Sequence, residues 1–169
     1  MFSVYKTNHN VLYNKLVELS RNFFFYRKIR LKDNFETRIN LIFIHLSLIL
    51  IVFKNRDVDK NIFPQEIFDN IFLNIEYHIR ELGYGDVAVN KKMKILLQIF
   101  YDILLKIKTL KVKKKDIISK SILKNYLQSK SDHQEVLIDD LANYFQNFYD
   151  FCFELQSDNM LKGQINFKY

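Results

Sequence analysis

The sequence predicts an all-α protein, a single bundle of about six helices with no β-sheet. Three observations predict it. The chain of 169 residues contains only 3 Gly and 1 Pro, too few for the tight turns of an all-β design. Long stretches carry apolar residues at helical spacing with little punctuation between them. Hydrophobic residues make up 49% and aromatics 15%, enough for one buried core, and the length fits one domain.

The first helix is expected over Val11 to about Tyr26, because Leu12, Leu16, Leu19 and Phe23 recur at helical intervals. A basic connector, Arg27 to Lys32, comes next. Asp33 reads as an N-cap with Glu36 three residues on, a capping-box arrangement that opens a helix from Asn34 to about Lys54. That helix is apolar over most of its circumference and is therefore central. Asn55 to Asn61 reads as a loop, and Pro64 suits the first turn of a third helix. Ile67, Phe68, Ile71, Ile75, Ile79 and Leu82 share one arc of it, at about 100° per residue.

Gly83 stands where a helix end often needs positive φ, Gly85 permits a tight turn, and Asp86 can cap the next helix. That fourth helix is expected over about Val89 to Leu110, with Met93, Leu96, Leu97, Phe100, Ile103 and Ile107 on its apolar face. A shorter helix is expected over Ile117 to about Gln128. A last one over about Glu135 to Leu155 carries Tyr144, Phe145, Phe148, Tyr149, Phe151 and Phe153. No element is assigned after Gln156. The expected organisation is a helical domain over residues 1–130, with an acidic, aromatic-rich helix and tail over 131–169 packing on it.

A lone cysteine, Cys152, has no partner for an internal disulfide, which suits a reducing compartment. Met1 to Asn10 lacks the apolar run of a signal peptide. The longest apolar run, Leu41 to Phe53, spans 13 residues and includes His45 and Ser47. A membrane-spanning helix needs roughly 20, so this run is expected in the core.

The formal charge of +7 is unevenly placed. Seven basic residues against the single acid Glu18 lie between Met1 and Lys32, and a second cluster runs from Lys106 to Lys115. Asp132 to Asp158 holds seven acids and no Lys or Arg. Arg27, Lys28, Arg30 and Lys32 are therefore candidate contacts for a polyanion such as ribosomal RNA or anionic lipid. The plainer reading is that lysine-rich linkers keep a helical protein in solution.

Enzyme signatures are missing. His9, His45, His78 and His133 are far apart and lack acidic or cysteine neighbours at ligand spacing. His45 reads as a core histidine, and Cys152, among aromatics, as a small buried hydrophobe. Gly83-Tyr84-Gly85-Asp86 lacks the Gly-Lys-Ser/Thr ending of a phosphate loop and joins two helices. Asp139 and Asp140, adjacent on a helix, point about 100° apart and make a poor acid–base pair.

The segment Ile79-Arg80-Glu81-Leu82-Gly83-Tyr84-Gly85-Asp86, then Val89 and then Lys91, Lys92 and Lys94, resembles the signature of the ubiquinol–cytochrome c chaperone family. That signature has Leu-Arg-Glu, a hydrophobic residue, Gly-Val-Gly-Asp and a Val before a lysine-rich helix start. Asp33, Phe35 and Arg38 ahead of Ile44-His45, Phe68-Asp69 before the motif and Phe100-Tyr101 after it fit the same order. The resemblance covers roughly Leu12 to Leu127. It departs at Asp102-Ile103, where many members carry Gly-Arg, and at Asn74 and Glu76, where two aspartates are common.

The resemblance implies a non-catalytic assembly chaperone for the ubiquinol–cytochrome c reductase complex that binds nascent or unassembled cytochrome b. It implies work beside a ribosome or a small partner protein, with no cofactor of its own and no DNA partner. Arg80, Glu81, Gly83, Tyr84, Gly85 and Asp86 become candidate client contacts. The structural alternative gives the glycines to backbone geometry, Asp86 to capping and Arg80 to pairing with Glu76. A general ribosome- or RNA-binding helical module, or a peripheral module on an anionic membrane, are the competing readings. The Lys, Asn, Ile and Phe content suggests an AT-rich genome, so a bacterial cytoplasm, at the inner membrane, is expected ahead of a mitochondrial matrix.

Overall fold

A helix that is apolar all round is stable only if neighbours cover every side, and the rest of the chain is arranged to do this for α2 (Phe35–Asn55). The computed structural model describes residues 11–56, 62–109, 117–127 and 134–169. In it, α2 packs against α1 (Val11–Ser20), α4 (Asp86–Thr109) and α6 (Gln134–Glu154). Outside these, α3 (Gln65–Glu81) lies on α1 and α4, α5 (Lys120–Tyr126) on α6, and α7 (Ser157–Leu161) on α1. The fold is all-α. Among the described residues α2 alone is long and apolar enough to cross a membrane, but 78% of that stretch is buried in the fold.

Several expected boundaries move for identifiable reasons. The first helix stops at Ser20 instead of running to Tyr26. Ser20 Oγ donates to Val17 O, Asn22 Oδ1 accepts from Phe24 N–H, and the Tyr26 hydroxyl donates to Ser20 O. The chain then makes a π-helical turn, Phe24–Lys28, a form that inserts one residue per turn and rotates the backbone beyond it. Phe25 is thereby buried, while Phe23, expected on the core stripe, is 69% exposed. The N-cap of α2 is Asn34, whose Oδ1 accepts from Thr37 N–H, and not Asp33, which pairs with Arg38.

Pro64 is the N-cap of α3 rather than a member of its first turn. Ser119 caps α5 and so delays its start from the expected Ile117. A seventh helix, α7, lies where the sequence assigns no element, and beyond it Ile165 is buried. His9, His133 and most of the Lys106–Lys115 cluster lie outside the described residues.

Two aromatic clusters hold opposite faces of α2. Phe43 meets Phe72 of α3 and Phe100 of α4 at centroid distances of 5.7 and 5.5 Å. Two residues on, about 200° round the helix, His45 faces Phe25, Tyr144, Phe145 and Phe148. His45 Nδ1 lies 2.6 Å from Leu41 O and must be the donor there, so Nε2 accepts from the Tyr144 hydroxyl at 3.0 Å. Both bonds are made by neutral imidazole. Burial holds the His45 pKa down at about 4, despite the opposing effect of the Leu41 carbonyl.

The far ends of α2 and α6 are joined by Arg56. Its guanidinium donates to the carbonyls of Cys152 and Phe153, at 2.8 and 2.6 Å, to that of Leu155, and to Ser157 Oγ at 3.0 Å. These include carbonyls that a helix end leaves without partners. One side chain thus caps α6 and fixes the turn into α7.

Both contact sets can be tested by unfolding. The unfolded chain takes up a proton on His45 near pH 6.5 and the folded chain only near 4, so folding stability falls as pH drops through that window. The loss attributable to His45 approaches ~3 kcal/mol at the acid end. Chemical unfolding from pH 7 to 4 should show a flatter profile for His45→Gln than for the wild type. Arg56→Ala should lower unfolding free energy by about 2 kcal/mol, the scale of charged hydrogen bonds lost from half-buried carbonyls.

Candidate functional site

The signature segment forms the end of a helical hairpin made by α3 and α4. Glu81 closes α3, and Leu82 N–H bonds the His78 and Ile79 carbonyls. Gly83 then takes φ 94°, a value that non-glycine residues rarely adopt. Gly85 needs no such conformation, and a Cβ on either glycine would meet no atom within 4 Å. Residues Glu81 to Val87 are all exposed.

Arg80 clamps this hairpin from one side. Its Nη2 and Nε donate to Glu76 Oε1 at 2.8 and 3.1 Å, and its Nη1 donates to Asp86 Oδ1. The hydrogen bonds it donates to Asp86 and then to Glu76 raise the guanidinium pKa further. The sequence reading has Asp86 capping a helix that begins near Val89. It is instead the first residue of α4, and its carboxylate is taken by Arg80. Of the six candidate contacts, Arg80 and Asp86 therefore hold each other, Gly83 supplies backbone geometry, and Glu81, Tyr84 and Gly85 face outward. Tyr84 lies under Lys92, whose Nζ is 4.3 Å from the ring centroid.

Beside the hairpin end, a cleft of about 270 Å³ opens between α1, the start of α2 and the end of α3. Val17, Phe35, Ile39, Ile42 and Leu82 give it an apolar lining, and Arg21, Arg38 and His78 also line it. His78 stacks on Phe35 at 5.4 Å. A cavity of this size accepts one or two bulky apolar side chains and is at the small end for a drug-sized ligand. Sequence reasoning misses it, because its walls come from three segments whose approach depends on the break after Ser20.

The four basic candidates lie on the π turn and just after it. Lys28 pairs with Asp140 of α6 at 3.4 Å and lies over the Phe24 ring, and Arg27 lies over Phe23. Arg30, at φ 61°, and Lys32 are exposed. Among the described residues no group of three His, Cys, Asp or Glu gathers as a metal site. Cys152 is buried, which pushes its thiol up to about 12.

Asp102, a departure from the signature, has a structural use here. It accepts from Lys106 Nζ at 2.7 Å and from the Tyr126 hydroxyl, tying α5 to α4. The Lys106 bond, and then the Tyr126 bond, lowers its pKa, while burial and then the Asp102 bond push Tyr126 up to about 12.

The family model described as ubiquinol–cytochrome C chaperone matches residues 27–167. The chain belongs to the ubiquinol–cytochrome c chaperone family. The match spans the hairpin and continues through α6 and α7, past the Leu127 limit of the sequence resemblance. The fold is also that of the crystal structure of the Cbp3 homolog from Brucella abortus. That similarity has a TM-score of 0.70 and 23% identity, over 97% of this chain and 92% of that one. A comparison with curated protein sequences found no match.

The glycines of this chaperone-family hairpin separate by conformation. Gly83→Ala should cost about 1 kcal/mol for a side chain at positive φ, whereas Gly85→Ala should be close to neutral. Thermal melts of the two variants check the difference.

Proposed function

We propose that the protein is a non-catalytic assembly chaperone for ubiquinol–cytochrome c reductase, and that its client is newly made or unassembled cytochrome b. The observation that carries this reading is the family match over residues 27–167. The geometry supports it in two ways. A cleft with an apolar lining, bordered by Arg21, His78 and the Asp33–Arg38 pair, suits a side chain from a strongly apolar client segment. The volume of that cleft, about 270 Å³, admits one or two bulky apolar side chains. The proposed setting is a bacterial cytoplasm at the inner membrane, where such a client is inserted.

Arg80 belongs to this reading as the residue that holds the hairpin end in shape. Contact with the client falls to the cleft walls contributed by α1 and α2, Val17, Ile39 and Ile42 among them.

A second reading rests on the π turn. Arg27, Arg30 and Lys32 are exposed and make no ion pair among the described residues, which would suit ribosomal RNA. That reading requires an affinity for RNA that falls steeply with salt.

Reduced-minus-oxidised spectra of membranes from cells lacking the gene test the first reading. Selective loss of the reductase's b-type cytochrome, restored by the wild-type gene, is the expected result. Unchanged cytochrome b would sink it. A complementing gene carrying Arg80→Ala should restore less, with the purified variant showing faster amide exchange over Leu82 to Val87 and a nearly unchanged melt.

A further inference from the structure

We propose that the end of the α3–α4 hairpin is a membrane-seating tip, which inserts Leu82, Tyr84 and Val87 into the headgroup layer of an anionic bilayer. Exposed apolar side chains are ordinary when scattered singly. Here three fall within six residues, with Leu82 53%, Tyr84 44% and Val87 84% exposed. They stand on a projecting end, since every residue from Glu81 to Val87 is exposed and nothing approaches the two glycines. A projecting apolar end fits a fluid, deformable surface, whereas a protein partner would need a matching hollow.

The charges behind the tip are placed at the right depth. Lys91 and Lys94 lie four and seven residues after Val87 on the same side of α4. At a rise of 1.5 Å per residue they sit about 6 and 10 Å behind it. Interfacial segments enter the headgroup boundary by about 5–10 Å, so both ammonium groups come level with lipid phosphates when Val87 is inserted. Tyr84, an amphipathic ring under the Lys92 ammonium, is the residue type favoured at that level.

Acids offset part of this charge. Glu76 and Asp86 share the single guanidinium of Arg80, and Glu81 faces Tyr13 of α1. Against these three carboxylates stand Arg80, Lys91, Lys92 and Lys94, so residues 76–94 keep a net positive charge of one, carried on the lysine side of the hairpin. Lys91 and Lys94 make no ion pair among the described residues. The π turn offers a weaker seat, because Lys28 is drawn to Asp140 and Phe23 is its one strongly exposed large apolar residue.

The seat is independent of which client is carried. Purified full-length protein should sediment with vesicles of equimolar phosphatidylglycerol and phosphatidylcholine, and much less with phosphatidylcholine alone. Binding should weaken as salt rises. Leu82→Ser/Val87→Ser and Lys91→Gln/Lys94→Gln should each reduce binding about tenfold or more, with unchanged melting. The chain has no tryptophan, so Val87→Trp supplies a single reporter whose emission should shift to the blue on anionic vesicles. Asn147→Trp, on the exposed face of α6, should not shift. An unshifted Val87→Trp on bound protein would overturn the proposal. So would wild-type binding by the Leu82→Ser/Val87→Ser variant, or loss of binding only on neutralising Arg27, Arg30 and Lys32. Failure of the wild type to bind anionic vesicles at low salt would also overturn it, and would leave this surface to a protein partner.

Discussion

The burial of the middle of α2 on every side is the constraint on which the rest of the structure depends. From Ile39 to Val52 only Leu50 falls short of full burial, so no face of the helix can be left to solvent. Its neighbours arrive from both ends of the sequence, α1 before it and α4 and α6 after it. None of them can be removed without baring apolar surface. Of the polar side chains inside this wall, His45 is satisfied at both ring nitrogens. An imidazole bonded to its own helix at one nitrogen and to Tyr144 at the other is stable only while neutral. The bond that registers α6 on α2 is therefore also the acid-sensitive point of the core.

How much of this the sequence reveals depends on the range of the interaction responsible. Elements governed by local periodicity, α2, α3 and α4, are found almost at their ends, because an apolar stripe and its caps act within a turn or two. Local reasoning fails at the end of the first helix. Leu12, Leu16, Leu19 and Phe23 keep helical spacing across a break, since spacing carries no information about the Ser20–Tyr26 bond that stops the helix. It fails again at the tail. There Phe167 and Tyr169 pack on Tyr144 at 5.4 and 5.0 Å, contacts that leave no periodic trace.

The hairpin is visible in the sequence as a motif but not as a mechanism. Residue types alone allow Arg80 to pair with Glu76 or to face a partner, and Asp86 to cap α4. The structure joins these options into one device, with Arg80 bridging the last turn of α3 and the first residue of α4. A turn braced by charge needs no apolar side chains for its own stability. Leu82, Tyr84 and Val87 are accordingly free of structural duty at their tips, and their exposure calls for another explanation.

The charge asymmetry of the chain sharpens that point. The acidic residues of α6 are partly consumed inside the molecule, Asp139 by Lys120 of α5 at 2.6 Å and Asp140 by Lys28 of the π turn at 3.4 Å. Each such pair is worth little in water, but each removes a cation from the surface near α6. Lys91 and Lys94, near the start of α4, meet no acid among the described residues. Exposed cations without an ion pair among the described residues thus include Arg27, Arg30 and Lys32 on and after the π turn, and Lys91 and Lys94 on the helix that begins at the apolar hairpin end. On α4 the exposed apolar side chains do not stop at Val87, since Ile95, Tyr101 and Leu105 follow it, so the outward face of the helix carries ammonium groups and apolar surface together along its length.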